Sequence, residues 1–163
     1  MRVAKVGHYL MTRWQRLFET RSSRLQVAAL PWRRASKGFE IMLVTSRGSG
    51  RWILPKGWPE AGEALWDAAA REAAEEAGIS GIVSPQELGA YRYEKSKGSE
   101  EGSAFEVKVY PLEVQTVAKT WREHGQRHRQ WFPVADAATK VREPDLAALI
   151  TDFGRRSGQR KAA

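Results

Sequence analysis

Cysteine is absent from the 163-residue sequence. Its absence excludes a disulfide framework, a thiolate zinc site, an iron–sulfur cluster and a cysteine nucleophile together. The sequence also lacks any run approaching the roughly 18 apolar residues that a membrane span needs. The sequence contains 42% apolar and 28% charged residues, a composition that is typical of a folded soluble protein. We therefore expect a single domain without a membrane span, in a cytoplasmic location.

Acidic residues are scarce at both ends of the chain, where basic residues collect. Residues 1–37 contain nine Lys or Arg and one acid, and residues 153–163 contain four basic residues and no acid. The intervening 38–152 contain 14 basic and 18 acidic residues, so this stretch is net acidic although the whole chain carries +8. The distribution disfavours a uniformly basic nucleic-acid face. Basic ends attract polyanions or simply stay solvated; we favour solvated ends, so nucleic acid is an open but not favoured partner.

Helical spacing of apolar residues marks the start of the chain. The residues concerned are Tyr9, Leu10, Trp14, Leu17 and Phe18. They predict a basic amphipathic helix within an extension, 1–23, ahead of the main domain at 24–153 and a basic tail at 154–163. An Arg-rich, acid-poor start also resembles an organellar transit peptide, but serine is sparse, so we favour a helix docked on the domain.

Apolar patterns and turn residues predict alternating strands and helices. The predicted strands are 25–31, 39–45, 52–54, 87–94, 104–114 and 130–132. The predicted helices are 63–77, 135–141 and 144–153. The turn-like residues 35–38 predict that the first two strands pair, and Gly78 is the preferred residue just beyond a helix end.

Three acids converge on one face of the first predicted helix. Glu72, Glu75 and Glu76 fall within an arc of about 100°, because residues at i, i+3 and i+4 share a helix face. Like charges at this spacing destabilise a helix, so the acids are either fully solvated or hold a cation. Ligands that are all oxygen suit Mg²⁺ or Mn²⁺ better than zinc.

The residues around this helix follow a fixed pattern. Five residues separate Gly57 from Glu63, seven more lead to Arg71, and then come Glu72, Ala73, Glu75, Glu76, Gly78 and Ile79. The pattern resembles the signature of the Nudix hydrolases, G-x5-E-x7-R-E-U-x-E-E-x-G-U, where U is a bulky aliphatic residue. Every fixed position is present, and the one departure is the small Ala73 at the first U. Eight specified positions over 23 residues make the match specific.

The resemblance implies a phosphoanhydride hydrolase with an α/β/α sandwich around a mixed central sheet, and Mg²⁺ or Mn²⁺ as cofactor. It implies that Glu72 and Glu76 are the principal metal ligands, helped by the backbone carbonyl of Lys56. Glu75 is then a further ligand or the base that activates water, so that Glu72 and Glu75 form the catalytic centre. It also implies that Glu63 and Arg71 orient the helix and its carboxylates.

The flanks of the motif resemble the branch of the family that hydrolyses diphosphoinositol polyphosphates and dinucleoside polyphosphates. The resemblance makes a polyphosphorylated small molecule the expected substrate. Candidates for its remote phosphates are Thr45, Ser46, Arg47, Arg127 and Arg129, with Arg24 a weaker one. Trp52, Trp58 and Trp66 are candidates for stacking on a nucleobase, although we expect most of them in the core. Two alternatives stay open: an RNA 5′-end pyrophosphohydrolase, and a catalytically quiet Nudix-fold binding module. The sequence does not indicate an oligomeric state.

Overall fold

The computed structural model describes residues 24–95 and 102–159, which form eight strands and three helices. The strands are β1 (Leu25–Ala35), β2 (Gly38–Thr45), β3 (Trp52–Ile53), β4 (Lys56–Gly57), β5 (Ile79–Val83), β6 (Gly89–Glu94), β7 (Ala104–Val117) and β8 (Arg129–Pro133). The helices are α1 (Leu65–Ala77), α2 (Val134–Lys140) and α3 (Pro144–Gln159). The amphipathic helix predicted within residues 1–23 lies outside the described residues. No helix in the described part is both long and apolar enough to cross a membrane.

Strand β1 lies at the centre of a mixed sheet. Neighbouring strands follow the order β3-β2-β1-β7-β5, while β4 pairs with β1, β6 with β7 and β8 with β2. Strands β1 and β7 run parallel, with Leu25 opposite Glu106 and Trp32 opposite Glu113. The other strand pairs among the described residues are antiparallel. The hairpin predicted for the first two strands is confirmed, with its turn between Ala35 and Gly38.

Helices cover both faces of the sheet. Successive side chains of a strand point to opposite faces, so a strand packs against different helices on its two sides. Val27 and Ala29 pack with helix α1, whereas Ala28 and Leu30 pack with helices α2 and α3. Strand β2 repeats the division, with Met42 and Val44 on one face and Ile41 and Leu43 on the other. The predicted α/β/α sandwich with a mixed central sheet is therefore confirmed.

Helix α1 meets the sheet through small side chains. Its fully buried residues are Ala68, Ala69, Ala73 and Ala77. Since alanine fills little space, the helix axis comes close to the strands, and close packing of this kind leaves little freedom for the helix to shift. Ala73, the small residue at an aliphatic motif position, is part of this alanine face.

Strand β5 and the end of helix α3 differ from the sequence prediction for identifiable reasons, while the two-residue β4 was also not predicted. Strand β5 was not predicted, and it contains Gly81, whose Cα lies so close to the backbone of Glu113 that an added Cβ would be 1.9 Å from its carbonyl oxygen. Pairing with β7, rather than local propensity, therefore makes β5 a strand. Helix α3 continues past residue 153 to Gln159, where Arg155 and Arg156 both pair with Asp152 at helical spacing.

Candidate active site

The three motif acids lie at the C-terminal end of α1 in unequal environments. Glu76 is buried, with 8% of its surface exposed, and the Glu72 side chain is 12% exposed. Desolvation raises the pKa of Glu72, and raises that of Glu76 to about 7. The Glu75 side chain is 29% exposed. Two carboxylates are thus held where their charge is poorly solvated, an environment that a bound cation relieves.

The loop before α1 is fitted closely against these acids. The backbone N–H of Lys56 donates to Glu76 Oε2 at 3.0 Å, and strand β4 holds this loop against β1. A Cβ added to Gly57 would lie 2.3 Å from Cδ of Glu72, so only glycine leaves room for that carboxylate. The first glycine of the motif is therefore required by contact with a motif acid. The metal-ligand role of the Lys56 carbonyl stays a prediction.

Arg71 ties the start of the motif to its helix. Its guanidinium donates to both carboxylate oxygens of Glu63 at 3.0 and 3.1 Å, to Glu72 Oε1 at 2.8 Å and to the carbonyl of Trp58 at 3.0 Å. The bond from Arg71 lowers the pKa of Glu63. The structure thus brings together the two residues expected to orient the helix, and the bidentate geometry suits that role.

An arginine engages each of the three acids. Arg71 pairs with Glu72, Arg122 with Glu75 at 2.9 Å, and Arg127 with Glu76 at 2.6 Å. Within residues 24–95 and 102–159, no three His, Asp or Glu side chains are grouped so that they form a metal site as they stand. The pairs differ in strength, because Arg127 is 6% exposed whereas Arg122 is 72% exposed.

The segment Thr45–Arg47 lies at the end of β2, next to Arg127, which pairs with Glu76. Thr45 is buried, and its hydroxyl accepts from the backbone N–H of His128 at 2.8 Å. The Ser46 hydroxyl lies 2.7 Å from that of Ser49. Arg47 is exposed and lies 3.3 Å from Glu123. Arg24, the weaker candidate, precedes β1 and is exposed.

Arg127 and Arg129 both face protein acceptors. Arg127 donates to Glu123, to the carbonyl of Thr45 and to Glu76. Arg129 donates to the carbonyls of Ala77, Gly78 and Ala118. Their phosphate-binding role stays a prediction, and the contacts add an internal role that the sequence did not indicate.

A basic pocket of about 490 Å³, which the sequence did not predict, is lined by Arg51 and by residues 92–95 and 142–144. Its charged lining residues are Arg51, Arg92, Glu94, Lys95, Arg142 and Glu143. Tyr93 also lines it, and the ammonium of Lys56 lies 4.9 Å from the Tyr93 ring, while the Lys56 backbone binds Glu76. Lys56 thus connects the pocket with the carboxylate helix, although no residue of α1 lines it, and within the pocket Arg51 pairs with Glu143 at 2.8 Å. The basic residues of the pocket come from separate elements of the chain. Arg51 alone among them stands in a stretch, just before the motif, whose pattern resembles the family.

Comparison with known proteins gives the same family. The NUDIX domain model matches residues 23–153. The chain belongs to the Nudix family. As a Nudix hydrolase it acts on pyrophosphate bonds.

Relatives of this Nudix hydrolase span several named activities. It is 31% identical to Nudix hydrolase 16, mitochondrial, of Arabidopsis thaliana, over 93% of this chain and 88% of that protein. Four further Arabidopsis Nudix hydrolases are matched over only 58–61% of their length. It is 30% identical to diphosphoinositol polyphosphate phosphohydrolase 2 of Rattus norvegicus, over 75% of this chain and 65% of that protein. An Ap4A hydrolase of C. elegans shares the fold, with a TM-score of 0.56 at 20% identity, over 79% of this chain and 94% of that one.

Proposed function

We propose that this Nudix hydrolase is a divalent-metal-dependent pyrophosphohydrolase of a diphosphoinositol polyphosphate or a dinucleoside polyphosphate. The observation that carries the proposal is the basic pocket, which Lys56 connects with the carboxylate helix. Four basic side chains face two acids in this pocket, so it suits a substrate with more phosphate than a single diphosphate. A relative acts on diphosphoinositol polyphosphates by name, and a structural neighbour on Ap4A.

The donor set of α1 fits a hard divalent cation, expected to be Mg²⁺, with Mn²⁺ as an alternative. Glu72 and Glu76 are neighbouring carboxylates one helical turn apart, both desolvated, and burial raises the pKa of both. A divalent cation bound there neutralises phosphate charge and lowers the pKa of a water molecule that it binds. We propose Glu72 and Glu76 as its ligands, with Glu63 and Arg71 holding Glu72 in place.

Glu75 is the acid best placed to take the proton of the attacking water. Its nearest partner, Arg122, is 72% exposed, and an exposed pair of this kind contributes little and exchanges readily with solvent. Glu76, in contrast, is held by the buried Arg127 and by the Lys56 backbone. We therefore assign the role of general base to Glu75, and the role of metal ligands to Glu72 and Glu76.

Trp58 favours the dinucleoside polyphosphate over the inositol substrate. Its side chain is 41% exposed, although it packs edge-on against Phe105 at 5.7 Å. Arg71 binds the carbonyl of Trp58, which directly follows Gly57, so the backbone of Trp58 is fixed beside the motif while part of its ring stays open to solvent. Stacking of a base on such a ring contributes about 1–3 kcal/mol.

The test measures turnover of diadenosine tetraphosphate, a diphosphoinositol polyphosphate, a nucleoside diphosphate sugar and triphosphorylated RNA, each with Mg²⁺, Mn²⁺ or a chelator. We expect metal-dependent turnover that is best on the first two. Arg142→Gln, in the pocket, should raise the KM for both about tenfold, as the loss of one charge-assisted hydrogen bond predicts. Trp58→Ala should raise the KM for diadenosine tetraphosphate alone. Arg33→Gln, on the β1–β2 hairpin, is the matched control and should change neither.

Other outcomes of this screen identify the alternatives. A preference for triphosphorylated RNA would support the RNA 5′-end pyrophosphohydrolase, and nucleic acid would then be the partner. Absence of turnover on all four substrates would support a Nudix-fold binding module. The cytoplasmic location stays a prediction, and the names of several relatives place those proteins in mitochondria or a chloroplast.

A further inference from the structure

We propose that residues 118–129, here called the capping segment, position the catalytic acids by binding the end of helix α1. In this proposal Trp121 and Arg129 are positioning residues that act through the backbone of Glu75 and Glu76. The proposal rests on the proposed function in one respect, namely that these acids serve the metal and the water.

The end of α1 has an unusual number of partners from one segment. A helix leaves its last four carbonyls without intrahelical partners. Here the N–H of Gly78 binds the carbonyl of Ala74, and the capping segment binds the other three. The donors are the N–H of Glu123 to Glu75 O at 3.2 Å, the indole N–H of Trp121 to Glu76 O at 3.1 Å, and the Arg129 guanidinium to Ala77 O. The carbonyls of the two acids are thus fixed by the segment itself.

Trp121 is held by three neighbouring residues. The Arg129 guanidinium lies over its ring at 3.9 Å from the centroid and also donates to the carbonyls of Gly78 and Ala118. The ring also lies against Gly78, where an added Cβ would be 2.7 Å from ring atoms, and against the ring of His124, with 4.3 Å between the two centroids. The cation also lies at the helix end that favours positive charge. The direction of the indole N–H towards Glu76 is therefore supported by three contacts that are independent of that bond.

The segment holds the Glu76 side chain as well as its carbonyl. Arg127, in the same segment, donates to Glu76 Oε1 at 2.6 Å and to Glu123 at 3.0 Å. Backbone and carboxylate of one residue are thus bound by one loop. If the cap loosens, the last helical turn frays and the carboxylates at its end lose their position, because side-chain direction follows the backbone.

A purely structural cap and a positioning cap predict different results. A structural cap stabilises the fold and leaves metal binding by the folded protein unchanged. A positioning cap changes the affinity of the folded protein for the metal. Supporting residues of metal sites typically contribute 10- to 100-fold in affinity, so the difference is measurable.

The experiment uses two substitutions with matched controls. Trp121→Phe removes the N–H but keeps a ring, and Arg129→Lys keeps the charge but loses the planar fork. The chain offers another Arg–Trp cation–π pair, Arg33 over Trp131 at 4.2 Å, and its arginine pairs with Glu40 on β2 rather than with the end of α1. Trp131→Phe and Arg33→Lys are therefore the controls. Mn²⁺ affinity is measured by calorimetry without substrate, alongside the thermal midpoint, kcat and KM for diadenosine tetraphosphate.

We expect each test variant to bind Mn²⁺ about tenfold more weakly and to lose kcat while KM changes little. The controls should keep wild-type Mn²⁺ affinity even if their midpoints fall. Wild-type Mn²⁺ affinity in both test variants would overturn the proposal and leave the proposed function intact. If the wild-type protein binds no Mn²⁺, the proposed function fails and the inference fails with it. Should Trp121→Phe not fold, Arg129→Lys alone decides.

Discussion

Substituting Gly57 with alanine should separate activity from stability. The added Cβ would lie 2.3 Å from Cδ of Glu72 and 2.4 Å from each carboxylate oxygen. Ordinary contact begins at 3.4 Å, so the carboxylate must move by about 1.1 Å. Gly57 does not have a positive φ, so alanine fits the backbone itself. The three atoms nearest to the added Cβ thus all belong to one motif acid.

The two expected magnitudes follow from that displacement. Shifting a group of the active site by about 1 Å reduces the rate by about 100-fold. Forcing one side chain off its rotamer costs about 0.5–1.5 kcal/mol, and the glycine-to-alanine change returns about 0.4–1 kcal/mol by restricting the unfolded chain. The free energy of unfolding should therefore change by less than about 1 kcal/mol, and the thermal midpoint by no more than about 4 °C.

The assay measures kcat on diadenosine tetraphosphate at saturating Mg²⁺, together with the thermal midpoint. Gly158→Ala is the control, since Gly158 has no heavy atom within 4 Å of an added Cβ and no positive φ. It should keep wild-type turnover. Turnover of Gly57→Ala within threefold of wild type would refute the reasoning, and so would a loss of activity that merely follows unfolding.

Two further substitutions test the burial of Glu76 and its partner. Glu76→Gln should abolish metal-dependent turnover while the thermal midpoint falls less than for Arg127→Ala, because burial raises the pKa of Glu76 to about 7 and Arg127 keeps Glu123 as a partner; a fall as steep as that of Arg127→Ala would contradict this. Arg127→Ala should destabilise the protein by about 3 kcal/mol, the lower end for a broken buried pair, because Glu76 is able to take up a proton. Its midpoint should fall by about 6–12 °C, and an unchanged midpoint would show that the internal contacts of Arg127 contribute nothing. If Arg127→Ala loses more turnover on the diphosphoinositol substrate than on a nucleotide sugar, that difference would support the predicted contact between Arg127 and a phosphate of the substrate.

The carboxylate helix was predictable because its signals are local. Glu72, Glu75 and Glu76 share a face by spacing alone, and Gly78 ends the helix in the left-handed conformation, with φ 62°. The hairpin of β1 and β2 was also local, since its turn residues stand between two apolar runs. The sandwich followed from the family resemblance rather than from these patterns.

The partners of Glu75 and Glu76 were not predictable, because they come from a distant part of the chain, whereas Arg71 stands next to Glu72 within the motif. Arg127 and Arg129 stand beside Trp131 and Phe132 in a stretch that looks like an exposed phosphate-binding cluster. In the structure their donors bind carbonyls and carboxylates more than 50 residues away, at the end of α1. A sequence shows the charge of an arginine but not which acceptors the fold places around it. The pocket of Arg51, Arg92 and Arg142 was not predictable for the same reason, since only the fold brings these three residues together.

The parallel pairing of β1 with β7 also determines at which stage of folding the active site forms. The two strands lie about 80 residues apart in sequence, so their pairing requires a long loop to close and is slow compared with helix or hairpin formation. Helix α1 alone carries like charges on one face and mostly alanine on the other, so little holds it in place before the sheet exists. The capping segment follows β7. A nascent chain that has completed the whole motif therefore still lacks an active centre until residues some 50 positions further on have been added.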